Sequence, residues 1–156
     1  MVLKGTKCSV ICYGSTGSGK TYTLSGGEWK DEGIIQQAIT YARDQAIAKG
    51  LKNFKVTCFM VQIYKSHIKD LLRRDDDPIC ALHLEFDDDD GSVSIRNIRL
   101  HEADDFLDTN GDQQLIKVLN RGLDNRLMRS TEANEASSRS HLLYALVMSH
   151  DDENTG

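Results

Sequence analysis

The chain has 156 residues, of which 39% are hydrophobic and 28% charged, with a formal net charge of −5. That length holds at most one ordinary domain, and the acidic balance argues against a nucleic-acid binder. No run of about 18 apolar residues is present to span a membrane, and MVLKGTKCSV at the start lacks the apolar segment of a signal peptide.

The cysteines at 8, 12, 58 and 80 show neither CxxC spacing nor a disulfide-dense pattern. Cys8, Cys12 and Cys58 lie in apolar runs and read as buried free thiols of a reducing compartment.

Cys8 to Tyr13 is a short apolar run bounded by glycine, the pattern of a buried parallel strand. Gly14-Ser15-Thr16-Gly17-Ser18-Gly19-Lys20-Thr21 follows and matches G-x-x-x-x-G-K-[ST] in full. Three glycines let successive backbone N–H groups fold into a nest around phosphate oxygens. Lys20 and Thr21 then open a helix that carries Tyr22 in its first turn, and the free amides and dipole of such an end also favour an anion. In this reading Lys20 reaches the β- and γ-phosphates and the Thr21 hydroxyl is a ligand of Mg²⁺. The plain alternative is an ordinary Gly/Ser loop, and the strand in front of it favours the nucleotide site.

Ser25-Gly26-Gly27 ends the first helix, and EWKDEG is a polar loop whose Trp29 is expected to pack against a neighbouring helix, with an exposed contact residue as the alternative. Residues 34–49 place Ile35, Ile39, Ala42, Ala46 and Ile47 at helical spacing, and Gly50 stops them. Residues 54–64 alternate and are rich in β-branched and aromatic side chains, a strand. HIKDLL, within 65–72, reads as one or two helical turns, and residues 73–78 as a charged turn. LHLEF and SVSIRNIRL form a hairpin around Gly91, with Asp87 to Asp90 as its solvated tip; that run lacks the spaced ligands of a calcium loop. Residues 102–109 and 112–121 read as helices, striped by Phe106, Leu107, Leu115, Ile116, Val118 and Leu119, with Gly122 ending the second. Residues 123–141 are polar without sustained periodicity, residues 142–148 are another buried strand, and the acidic tail at 151–156 is expected to be disordered. With no repeat and no linker, residues 1–150 form one domain.

Asn134-Glu135-Ala136-Ser137-Ser138-Arg139-Ser140-His141 lies in a polar loop just before a strand. Adjacent hydroxyls suit a γ-phosphate, a water or a metal ligand, Asn suits the orientation of a water, and Arg suits a carboxylate across a closing site. The composition suits a helix cap and turn equally well.

YGSTGSGKTYTL at 13–24, GIIQQAI at 33–39, VQIYKSHIKDLL at 61–72 and NRLMRSTEANEASSRSH at 125–141 together resemble, in order and spacing, part of a kinesin motor domain. The resemblance spans residues 8–148. It implies a three-layer α/β P-loop NTPase fold with the strands at 8–13, 54–64 and 142–148 in one sheet. It also implies ATP and Mg²⁺ as cofactors, a microtubule as partner, and a place in the cytoplasm on the microtubule cytoskeleton. Gly14 to Thr21 would be the phosphate loop and Asn134 to His141 the first switch. Ser137 and Ser138 would contact the γ-phosphate and the Mg²⁺ environment, and Arg139 would pair with a glutamate of the second switch. Tyr13 matches the structural aromatic before the loop, and Ser15 stands where many members carry Gln. Among the residues given, the resemblance finds neither the N-terminal strand pair nor the D-L-A-G-S-E of the second switch. It therefore implies an incomplete motor domain, with the strand at 8–13 short of its usual neighbours and ATP hydrolysis negligible.

Two readings of function follow. The first is an ATP-dependent microtubule motor domain, with hydrolysis coupled to movement once the domain is complete. The alternative is a truncated, inactive kinesin-like module that acts as a binding partner. A separate small P-loop kinase or GTPase would need an aspartate after a later strand or an NKxD motif.

Overall fold

Buried and half-buried positions alternate along most of KVTCFMVQIY, so residues 55–64 form a strand with one side chain in two turned to the interior. The computed structural model describes residues 5–27, 31–74, 77, 81–89, 91–103, 105–108, 110–130 and 140–150. Within them the chain runs α1 (Lys20–Ser25), α2 (Ile34–Ala48), β1 (Lys55–Tyr64), β2 (His67–Asp70), β3 (His83–Phe86), β4 (Val93–Arg96), β5 (His101–Glu102), α3 (Gly111–Ser130) and β6 (His141–Ser149). β2, β5 and β6 all pair with β1 in a four-stranded sheet, while β3 and β4 form a sheet of their own. No helix among the described residues is long and apolar enough to cross a membrane.

The chain divides into two compact units. The first comprises residues 1–56, 103–117 and 148–156. Its interior holds Ile35, Ile39, Ala42 and Ala46 from one face of α2, with Phe54, Val56, Ala103, Phe106 and Leu115. Phe54 and Phe106 meet with ring centroids 5.8 Å apart. Arg43 Nε donates to Asp108 O over 2.9 Å, and Ala103 N–H donates to Val56 O over 3.1 Å. α2 ends as its sequence predicts: Gly50 N–H bonds Ile47 O and Leu51 N–H bonds Ala46 O, each at 3.0 Å, which satisfies two of the last carbonyls. Ile47, read from its spacing as part of the apolar stripe, is exposed.

The second unit comprises residues 57–102 and 118–147, with Cys58, Met60, Val61, Leu71, Leu72 and Leu119 buried. The stretch expected to turn as a helix after residue 64 is instead β2, in register with β1 from Tyr64↔His67 to Val61↔Asp70. A run this short carries no decisive period. Lys65, at a φ of 53°, reverses the chain in two residues, and pairing with β1 decides the outcome. The expected hairpin around Gly91 forms, with β3 and β4 antiparallel from His83↔Arg96 to Phe86↔Val93.

Three other expectations are corrected. The described residues between 102 and 108 are not helical: Glu102 pairs with Thr57 and His101 with Cys58, and Asp105 sits at a φ of 45°, outside the helical region. Gly122 does not end its helix, because α3 runs on to Ser130. A Cβ at 122 would overlap Met60 Sδ and lie 2.9 Å from Leu72 Cδ2, so this glycine permits a close approach and is not a stop signal. β6 is present, but only half-buried along its length, with Leu143 and Val147 exposed. Burial pushes the Tyr144 phenol of β6 and the Cys58 thiol up from their ordinary values.

The run at 8–13 is not a strand. Residues 6–14 have no regular structure, and no described strand pairs with them. Ile11 is 85% and Tyr13 98% exposed. An apolar run can extend on its own, but a strand also needs a neighbour's N–H and C=O groups, and the main sheet gathers on β1 instead. Cys8 is accordingly exposed and Cys12 half-buried, and of these three expected buried thiols Cys58 alone is buried. Trp29 and the tail at 151–156 lie outside the described residues.

Candidate functional site

Gly14 to Tyr22 form one continuous loop and helix start in the first unit. Gly17 and Gly19 take φ of 82° and 83°, and a Cβ at either would meet nothing within 4 Å. Both glycines are therefore required by the left-handed backbone and not by crowding. Gly19 is the N-cap of α1, and the Thr23 N–H bonds its carbonyl over 2.8 Å. Ser18 N–H donates to Ser15 O over 3.2 Å and tightens the turn before it.

Lys20 folds back over this loop. Its ammonium donates to Gly14 O at 2.8 Å and Ser15 O at 2.5 Å, which places a positive charge on the loop. The residues here fit a phosphate: backbone N–H groups, the Lys20 ammonium and the hydroxyls of Ser15, Thr16, Ser18 and Thr21, with no carboxylate in the motif. Thr21 is exposed, and its carbonyl accepts from Ser25 Oγ over 2.7 Å. Its hydroxyl is a neutral hard oxygen of the kind that suits Mg²⁺.

Residues beyond the motif hold α1 in place. Gln36, buried on α2, donates through Nε2 to Ser25 O. A Cβ at Gly33 would overlap the Leu24 carbonyl, so the start of α2 lies directly against the end of α1. The Tyr22 hydroxyl donates to Asp31 Oδ2 over 2.6 Å, and this bond, with the charge of the carboxylate, pushes the phenol above its ordinary range. Neither Asp31 nor Gln36 stands out in the sequence. One lies in a polar loop and the other in an amphipathic helix, and only the folded chain joins them to α1.

Asn134, Ser137, Ser138 and Arg139 lie outside the described residues. The end of their segment is visible in the second unit, where Gln62 Nε2 of β1 donates to Ser140 Oγ over 2.8 Å just before β6 begins at His141. Gln62 lies in the VQIYKSHIKDLL stretch, but nothing in that stretch assigns it this partner.

The family model for the kinesin motor domain matches residues 1–156. The chain is 33% identical over 156 residues to kinesin-like protein KIN-8B of Arabidopsis thaliana, covering 98% of this chain and 18% of that protein. It is 34% identical over 156 residues to human kinesin-like protein KIF18B, covering 99% of this chain and 17% of that one. It is also similar to a solved structure of a fast kinesin, with a TM-score of 0.76 at 24% identity, across 92% of this chain and 39% of the other. That likeness gives the fold: a mixed α/β P-loop NTPase arrangement. The chain spans less than a fifth of the length of these curated relatives.

Proposed function

Because the chain belongs to the kinesin motor-domain family, we propose that it serves as part of an ATP-dependent microtubule motor, binding the nucleotide phosphates at Gly14–Thr21. The observation that carries this reading is the loop itself. A complete G-x-x-x-x-G-K-[ST] motif bends at Gly17 and Gly19 and bears the Lys20 ammonium on its own carbonyls.

Lys20 would exchange those carbonyls for β- and γ-phosphate oxygens, and Thr21 and Ser138 would hold Mg²⁺ through their hydroxyls. Mg²⁺ supplies neutralisation of the charge that develops on the phosphate oxygens. Ser137 would contact the γ-phosphate, Asn134 would orient the attacking water, and Arg139 would pair with a glutamate of a second switch as the site closes. No protein residue becomes covalent. The partner is tubulin in its polymer, and the place of action is the cytoplasmic microtubule cytoskeleton.

The alternative, an inactive kinesin-like binding module, draws on the absence of any described strand beside the residues that lead into the loop. Phosphate release measured with and without microtubules, with the Lys20→Ala protein as blank, separates the two. Turnover above the blank that rises with microtubules supports the motor. Mg²⁺-ATP binding without turnover supports the module. Failure to bind either ATP or microtubules overturns both.

A further inference from the structure

α1 has six residues and none of its side chains is buried. A helix this short has little stability of its own, and without a buried face no apolar packing fixes where it sits. Its position depends on contacts with the segment that follows it in the first unit. The backbones meet where α1 ends, since a Cβ at Gly33 would overlap both Gly26 N and Leu24 O. The Tyr22–Asp31 bond lies on the exposed side. The contact from the interior is Gln36, 8% exposed, whose Nε2 donates to the carbonyl of Ser25, the last residue of α1. Ser25 Oγ donates in turn to Thr21 O over 2.7 Å. Two successive hydrogen bonds thus run from α2 to Thr21.

Gln36 is the third residue of α2, after its N-cap Gly33. A glutamine at that position can turn back and accept from the N-cap amide of its own helix. Here the amide is turned to the neighbouring helix, and Oε1 is buried without a hydrogen-bond partner. An orphaned buried carbonyl costs at least as much as one neutral hydrogen bond returns. A methionine would fill the same space without that cost. Stability therefore does not account for an amide at 36, whereas the placement of α1 does.

We propose that Gln36 is a positioning residue for Thr21, holding it through Ser25 where its hydroxyl meets the Mg²⁺ of the bound nucleotide. This rests on the nucleotide reading of Gly14–Thr21. Mg²⁺ demands near-ideal octahedral geometry, so a ligand displaced by a small shift of α1 is lost to it. The phosphate cradle is more tolerant, because several backbone N–H groups and the long Lys20 side chain share the contact. Loss of the Gln36 bond should accordingly weaken the metal-dependent part of nucleotide binding and spare the rest.

The test is calorimetric titration of the 156-residue chain with ADP, in Mg²⁺ and again in EDTA. Gln36→Met should weaken Mg²⁺-ADP by about tenfold, the lower end for groups that hold a metal ligand in place, and leave metal-free ADP nearly unchanged. Ser25→Ala should show the same selectivity, and the double variant should cost less than the sum of the two. The Ser25 bond is solvent-exposed, so Ser25→Ala carries the test if Gln36→Met fails to fold. Without any nucleotide, Gln36→Met should quicken amide exchange at Thr23 and Gly26, whose N–H groups bond Gly19 O and Tyr22 O, and leave α2 as it is. Equal weakening with and without Mg²⁺ would make Gln36 a general structural residue and overturn the proposal. Native affinity in both variants overturns it too, with the nucleotide reading intact. A native chain that binds ADP under neither condition overturns that reading and the proposal with it.

Discussion

Met60 Sδ fills the space into which a side chain at Gly122 would grow, so that β1 and α3 touch where the helix has no side chain. Two effects oppose each other at this position. Alanine is favoured over glycine in a helix by about 1 kcal/mol, while overpacking a filled core costs about 1–3 kcal/mol. Met60 and Leu72 are both 0% exposed and have nowhere to move, so overpacking wins. Gly122→Ala is expected to lower stability by about 1–2 kcal/mol, read from the urea midpoint. Combined with Met60→Ala, its cost should be less than the sum of the two single changes. Strict additivity would show that the two residues do not share this space.

Lys20 tests the loop. Its bonds to Gly14 O and Ser15 O are solvent-exposed, so Lys20→Ala should leave unfolding within about 0.5 kcal/mol of the native protein. Nucleotide affinity should instead fall by on the order of 2–5 kcal/mol, the scale for losing one member of a desolvated charge pair. Calorimetric titration with Mg²⁺-ATP measures the second effect and thermal unfolding the first. A large loss of stability with unchanged affinity would make Lys20 a structural residue.

Asn125 holds the segment after β2 onto α3. Its Nδ2 donates to Leu71 O over 2.7 Å, and one turn earlier Arg121 Nη2 donates to Leu72 O over 3.2 Å. Leu71 and Leu72 are both buried, so water does not readily replace a lost donor. Asn125→Ala should cost about 1–3 kcal/mol, and amide exchange at residues 70–73 should quicken more than exchange in α2. Uniform quickening throughout the chain would argue against a local staple.

His101 should make stability depend on pH. Burial holds its pKa below the ordinary 6.5, with Arg121, Arg99 and Arg74 acting in the same direction and Asp70 against them. The unfolded chain therefore binds the proton first. Stability is fully present above about pH 6.5 and declines as pH falls from there toward the lower folded value. Asp77 acts in a separate range. The Arg74 amide, then the Arg99 side chain, hold its carboxyl below 3.8, so its contribution is lost only in stronger acid. Urea midpoints between pH 8 and about pH 5 should fall less steeply for His101→Gln than for the native chain. Equal slopes would place the acid sensitivity elsewhere.

The features legible in the sequence are those whose cause is local. The G-x-x-x-x-G-K-[ST] run places glycines where the backbone turns left-handed, and α2 ends at Gly50 because that residue accommodates the positive φ of a helix terminus. β1 and the hairpin at 83–96 likewise follow from alternation and a glycine turn. Other features depend on what the segment meets in space. Residues 8–13 are as apolar as a buried strand, yet no described strand supplies their hydrogen bonds. HIKD becomes a strand because β1 is available to pair with it, and Gly122 stays inside a helix because Met60 lies across from it. The candidate site divides in the same way. Its phosphate loop is written in consecutive residues, whereas Asp31, Gln36 and Gln62 take their places through contacts that no spacing in the chain encodes.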